Sequence, residues 1–213
     1  MCKIIVALDY NNPLDALEMA AKLRGKVDGF KINHMLWEQS EYLRDCGELF
    51  VDCKLWDTPN TVKEVLQKII DKGATMVTVS TFNNDSVFYE CSRFSNQIKI
   101  LGVTYLTSWS KEEQFKLYNK SVRNMWDENI ERAKECLSGI ICSPLDIKTI
   151  NQPDLLKVCP GIGSNKGQSR TVTPTKAKEL GADYLVIGRT ITQSNDPEHT
   201  VNQIKVDLKQ NMN

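Results

Sequence analysis

Short apolar runs alternate with helical patterns eight times along this chain, and that alternation restricts the fold more than any other feature. The runs are KIIVALD (3–9), DGFKIN (28–33), LFVDCKL (49–55), TMVTVS (75–80), IKILGVT (98–104), GIICS (139–143), LLKVCP (155–160) and DYLVIG (183–188). Their length and their Val and Ile content fit strands covered on both faces. Residues 14–24 place Leu14, Leu17, Ala20, Ala21 and Leu23 on one helical stripe, with Asn12 as N-cap and Pro13 at N1. Residues 61–72 and 174–180 read as helices that stop at Gly73 and Gly181, and a last helix begins near Asp196 and Pro197. Residues 111–136 are mostly helical, as one helix or two. Repeated strand–helix units imply a parallel sheet, and eight of them predict an α/β fold, a (β/α)₈ (TIM) barrel, as a single domain over residues 1–213. A doubly wound open sheet is the alternative.

Composition removes several classes of function. The 27 basic and 27 acidic residues balance, so no basic footprint for nucleic acid is expected. No apolar run approaches the roughly 20 residues of a membrane span, and the N-terminus lacks the features of a signal peptide. The seven cysteines are scattered and form no C-x-x-C pair, which argues against a disulfide framework or a zinc ribbon. Cys53, Cys142 and Cys159 read as small buried hydrophobes. With two histidines, His34 and His199, neither an H-E-x-x-H site nor a Ser-His-Asp triad is suggested, and no metal site is expected. Trp37, Trp109 and Trp126 read as packing residues. A reducing cytoplasm is the expected compartment.

Catalytic groups of such barrels gather at the C-terminal ends of the strands. Read in order, those ends carry Asp9, Lys31, Asp52 and Lys54, with Asp57 just beyond. Asp52 and Lys54, two apart on one strand, are expected to share the interior face. Unpaired charge there is costly, but alternating acids and bases satisfy one another. A structural ion-pair network would meet the same spacing. The loops after strands 7 and 8 form the usual phosphate site of a barrel. Here strand 7 runs into Cys159, Pro160 and Gly161 and the polar segment GSNKGQSR (163–170), and strand 8 ends at Gly188 and Arg189. Glycine permits close backbone approach, and arginine supplies a charge-assisted clamp.

The segment VDCKLWDTPNTV (51–62) resembles the D-x-K-x-x-D-I-P-N-T motif of orotidine 5′-monophosphate decarboxylases. ALD (7–9), FKI (30–32), GVTYLTS (102–108), CSP (142–144), CPGI (159–162), QSRTVTP (168–174) and GADYLVIGRTIT (181–192) occur in that family's order, so the resemblance covers roughly residues 3 to 200. Sugar-phosphate decarboxylases and hexulose-phosphate synthases share D-x-K-x-x-D. They typically carry glutamate at the position of Lys31, lack the continuation at Pro59, Asn60 and Thr61, and often use magnesium.

The resemblance implies a cofactor-independent conversion of orotidine 5′-monophosphate to uridine 5′-monophosphate and CO₂. Lys54 would be the proton donor, Asp52 would lie beside the substrate carboxylate, and Lys31 would hold the array and contact ribose. Asp9 would bind ribose, Thr107 and Ser110 would contact the pyrimidine, and Gln168 and Arg189 would contact phosphate beside Gly188. Asp57 and Thr61 would reach into a neighbouring subunit's site, which implies a homodimer. A sugar-phosphate decarboxylase or aldolase, or a nucleotide-binding barrel without activity, are the competing readings. Four positions depart from the family: Trp56 and Thr58 replace the usual His and Ile, Ser80 stands where a His often follows the fourth strand, and Gly163 stands where many bacterial members have Arg. At the last, Lys166 or Arg170 would have to substitute.

Overall fold

The structure, a computed structural model, describes residues 2–119, 122–150, 152–163 and 171–210. Eight parallel strands follow one another in chain order: β1 (Lys3–Ala7), β2 (Gly29–Asn33), β3 (Glu48–Leu55), β4 (Met76–Ser80), β5 (Lys99–Val103), β6 (Gly139–Ile141), β7 (Leu156–Cys159) and β8 (Tyr184–Ile187). β8 pairs back onto β1, with Lys3 opposite Tyr184 and Val6 opposite Ile187, so the sheet is a closed barrel and not the open alternative.

The connections are α1 (Pro13–Leu23), α2 (Pro59–Asp71), α3 (Asp85–Ser92), α4 (Lys111–Tyr118), α5 (Val122–Ala133), α6 (Pro174–Glu179), α7 (Arg189–Thr192) and α8 (Pro197–Gln210), with 3₁₀ turns at Trp37–Leu43 and Pro144–Thr149. Local chemistry sets their starts. The Asn12 side chain accepts the Leu14 N–H at 3.1 Å ahead of Pro13, and Asn84 accepts the Val87 N–H at 3.1 Å. The 111–136 region is two helices, because Asn119 turns left-handed at φ 51° and ends α4. The short helices α3 and α7 and both 3₁₀ turns had no sequence signal long enough to declare a period.

Alternation along the strands sorts side chains into two cores. Ile5, Ala7, Phe50, Met76, Leu101 and Val186 fill the barrel interior. Their neighbours in sequence, among them Val6, Leu49, Val51 and Val77, face the helices and pack with Leu23, Leu66, Ile69 and Trp126. Cys142 and Cys159, fully buried, and half-buried Cys53 belong to this outer layer, and all seven cysteines are free thiols. Trp126 is buried there, Trp37 packs against the same layer, and Trp109 makes a tilted ring contact with Tyr118. His34 and His199 are exposed.

The N-terminal end of the barrel is closed by charge. Glu48, on the inner face of β3, pairs with Lys3 and with Lys99 at 3.0 Å, and accepts the Tyr184 hydroxyl at 3.3 Å. Burial pushes the Glu48 carboxyl up, but hydrogen bonds from Lys3 and Lys99 outweigh it and hold the group below its ordinary value. Beside it, Gly29 meets the backbone so closely that a Cβ there would lie 2.0 Å from the Glu48 carbonyl oxygen. The β2–β3 register pairs these two residues, so the clash cannot be relieved by a side-chain rotation. Gly29→Ala should therefore destabilise the barrel by at least about 3 kcal/mol, the upper range of overpacking. Urea denaturation checks this, and an unchanged midpoint would refute the close approach.

Candidate active site

Three neighbouring strands deliver the charged residues to the C-terminal mouth. Asp9 follows β1 by two residues, Lys31 sits mid-way along β2 opposite Ala7 and Phe50, and Asn33 pairs with Asp52 on β3. Lys31 Nζ donates to Asp9 Oδ1 at 2.9 Å and lies 3.7 Å from Asp52 Oδ2. Lys54 Nζ donates to the other Asp52 oxygen, Oδ1, at 2.9 Å. Asp9 Oδ1 also accepts from Asn33 Nδ2 at 3.3 Å. The array thus runs Asp9–Lys31–Asp52–Lys54, with Lys31 and Asp52 largely buried and the side chains of Lys54 and Asp9 41% and 54% exposed.

Asp52 and Lys54 do share a site, though not by simple alternation. The β3–β4 register shifts: Val51 faces Val77 but Leu55 faces Val79, so β3 uses four residues where β4 uses two. In this bulge Lys54 adopts φ +49°, a left-handed conformation that costs a lysine about 1–2 kcal/mol. Its N–H finds the Thr78 hydroxyl at 2.8 Å, and that hydroxyl donates to Asp52 Oδ1 at 2.9 Å. Thr78 is fully buried. Desolvation alone would raise the Asp52 carboxyl. The charges of Lys31 and Lys54 and the hydrogen bonds from Lys54 and Thr78 outweigh it and hold the group below the ordinary carboxylate value.

The array forms one wall of a cavity of about 590 Å³, within the range of small-molecule sites. Thr107 lines it, as do Gly161 and Ile162 after β7, and Gly188 and Arg189 after β8. Asp9, Lys31, Asp52, Lys54, Thr107, Gly188 and Arg189 are therefore brought together as the sequence suggested. The others are not. Ser110 lies outside the lining and does a different job, capping α4: its hydroxyl accepts the Glu113 N–H at 3.2 Å while the Glu113 carboxylate accepts the Ser110 N–H at 2.7 Å. Asp57 and Thr61 are exposed at the start of α2, away from their own chain's cavity; Asp57 accepts the Thr58 N–H at 2.6 Å, and the Thr58 and Thr61 hydroxyls lie 3.0 Å apart. Gln168, Lys166 and Arg170 lie outside the described residues.

Sequence reasoning missed Tyr10, Thr192 and Gln193 in the lining, and Thr78 behind it. Tyr10 directly follows Asp9, and its hydroxyl, which burial pushes up, lies 3.5 Å from the Thr192 carbonyl oxygen. Thr78 had a usable signal, being a polar residue on the inward parity of an apolar strand. Among the departures, Trp56 is 73% exposed and Ser80 Oγ accepts the Phe82 N–H at 3.3 Å. Among the described residues no group of three or more His, Cys, Asp or Glu could hold a metal ion, and no helix is long and apolar enough to cross a membrane.

A model of the orotidine 5′-phosphate decarboxylase / HUMPS family matches residues 2–204. The chain belongs to that family. It is 34% identical over 232 residues to orotidine 5′-phosphate decarboxylase of Dictyoglomus thermophilum, covering 97% of this chain and 95% of that one. Identity to the Listeria monocytogenes orotidine 5′-phosphate decarboxylase is 32% over 228 residues, covering 96% and 97%. The crystal structure of orotidine 5′-phosphate decarboxylase from Lactobacillus acidophilus superposes with a TM-score of 0.83 at 27% identity, covering 98% of this chain and 99% of that one. The family's D-x-K-x-x-D motif is thus the bulged end of β3, and its first three positions carry the geometry described above.

The lowered Asp52 carboxyl has a consequence for stability. A carboxyl depressed in the folded state contributes stability above its unfolded value, near pH 4, and loses it as pH falls through the folded value. Asp52→Asn lacks that contribution. The stability difference between parent and variant should therefore change between pH 7 and pH 3, moving against the parent on acidification. A difference constant over that range, from urea melts at each pH, would show that the lysines do not hold the charge.

Proposed function

We propose that the chain decarboxylates orotidine 5′-monophosphate to uridine 5′-monophosphate and CO₂ without a cofactor, in the cytoplasm, as a homodimer with composite sites. The observation that carries this reading is the Asp9–Lys31–Asp52–Lys54 array on the wall of a nucleotide-sized cavity. The names of the curated relatives agree with it.

The chemistry follows from the array. Breaking the bond from the ring to the carboxylate releases CO₂ and leaves the electron pair on a ring carbon. The Lys54 ammonium, already fixed by Asp52, stabilises that charge as it develops and then delivers its proton to the carbon. Asp52, ionised beside the substrate carboxylate, repels that group in the ground state, and the repulsion disappears once CO₂ forms. Lys31, tied to Asp9, keeps Asp52 ionised and reaches the ribose side together with Asp9. Arg189 and the amides beside Gly188, with Gln168, hold the phosphate. Thr107 contacts the pyrimidine. Lys31 also speaks against a sugar-phosphate substrate, because an ammonium stands where those enzymes place an acidic residue.

Turnover of orotidine 5′-monophosphate, followed by ultraviolet absorbance with chelator present, tests the reaction. Full activity is expected. Loss restored by magnesium would move the chain to the sugar-phosphate branch. Lys54→Ala should lower turnover by at least about 10³-fold with the fold retained, and near-normal turnover would remove Lys54 from its role.

The exposed position of Asp57 and Thr61, outside their own cavity, supports donation across a two-fold interface. An isologous contact makes such donations reciprocal. Co-refolding equal amounts of Lys54→Ala and Asp57→Ala chains should then give about half mixed dimers, each with one intact site, so about a quarter of all sites recover. No recovery, with mixed dimers shown to form, would assign Asp57 to its own chain.

A further inference from the structure

We propose that Thr78 is a positioning residue for Lys54, fixing the backbone from which the ammonium is presented. The inference rests on the reading of Lys54 as proton donor. It comes from a feature that the D-x-K-x-x-D motif does not contain.

Three observations carry it. The β3–β4 ladder is interrupted between Val51 and Leu55, so the Lys54 N–H has lost its regular sheet partner. Lys54 nevertheless holds φ +49°, a conformation that a lysine keeps only when its surroundings determine it. What supplies the missing partner is the fully buried Thr78 hydroxyl, which accepts that N–H at 2.8 Å and donates to Asp52 Oδ1 at 2.9 Å. The same Asp52 oxygen accepts from Lys54 Nζ at 2.9 Å. The hydrogen bonds therefore close a ring: Lys54 backbone to Thr78, Thr78 to Asp52, Asp52 to the Lys54 ammonium. Both ends of a side chain with four rotatable bonds are tied to one buried carboxylate. A hydroxyl does this because it donates and accepts at one atom. A valine of the same shape would leave the N–H without a partner and Asp52 one donor short.

The test compares Thr78→Val, which keeps the volume, Thr78→Ala, which removes methyl and hydroxyl together, and Thr78→Ser, which removes only the methyl. Each is assayed for orotidine 5′-monophosphate decarboxylation at a temperature where circular dichroism shows it folded. Val and Ala should lower kcat by about 10²-fold, the scale of a misplacement near 1 Å, with KM within about 3-fold of the parent. Ser should restore kcat to within about 3-fold although it too leaves a void where the methyl was. A merely structural role predicts otherwise: Ser and Ala would both lower the thermal midpoint and both keep kcat. Parent-like kcat in folded Thr78→Val or Thr78→Ala, or failure of Ser to rescue, overturns the proposal. If the parent chain itself does not turn over the nucleotide, it is the functional reading that fails, and that outcome is visible before any variant is compared.

Discussion

The Asp52 carboxylate lies on the inner face of β3, where an isolated charge would be driven toward its neutral form, and two lysines hold it ionised instead. The neighbouring groups follow from that requirement. Lys31 is more buried than Asp52 and needs a second anion, which Asp9 supplies from just beyond the neighbouring strand β1 at 2.9 Å. Lys54 approaches the other carboxylate oxygen from the solvent side, so each oxygen of Asp52 has its own cation. The array is graded: its middle is buried, and both ends, Asp9 and Lys54, open to the cavity where a ligand would meet them. A barrel suits this arrangement because adjacent parallel strands fix the relative height of the residues through register, leaving little to side-chain freedom.

β3 repeats the same solution at its other end. Its inward positions read Glu48, Phe50, Asp52: charge, apolar ring, charge. Each carboxylate is bracketed by two lysines, Lys3 from β1 and Lys99 from β5 at the bottom, Lys31 from β2 and Lys54 from β3 itself at the top. The environments differ in what lies beyond them. Glu48 also takes the Tyr184 hydroxyl, and Gly29 draws the backbone in against it, so this end is packed shut. Above Asp52 the strand bulges, and the wall gives way to a cavity. Stability and chemistry thus use the same pairing and are separated by the apolar layer of Ile5, Phe50, Met76 and Leu101 between them.

The barrel was legible because its eight runs are long enough to declare themselves and the units repeat, so no single boundary mattered. The charges at strand ends were legible for a related reason: Asp9, Lys31 and Asp52 interrupt apolar runs, and periodicity gives them a common face. What stayed hidden depends on pairing between segments distant in sequence. The parity argument brought Asp52 and Lys54 together, but nothing in LFVDCKL marks the bulge or the left-handed lysine, since both are defined only against β4. Ser110 shows the opposite case. It lies two residues beyond the GVTYLTS segment that resembles the family's, and Glu113 three residues later makes it half of a capping box, a pattern visible in the sequence that accounts for its hydroxyl without a ligand.

The departure at Gly163 has a packing explanation that substitution tables would miss. Its φ is +132°, and a Cβ there would lie 1.9 Å from Thr190 Oγ1, so the backbone after β7 rests directly against the residue following Arg189. The Gly163 N–H donates to the Val172 carbonyl at 3.0 Å, and Ile162 bridges to Val172, which pins this contact from the other side. Any side chain at 163 would have to displace the Thr190 side chain and take up a φ that non-glycine residues rarely adopt, at the junction of the two segments that bring Gly161 and Arg189 to the same cavity. An arginine at this position is therefore not a neutral alternative that the chain happens to lack. A cation at 163 would require the Thr190 side chain to move and a strained φ to be held or relaxed, and the glycine instead lets the segment after β7 rest against Thr190, next to Arg189.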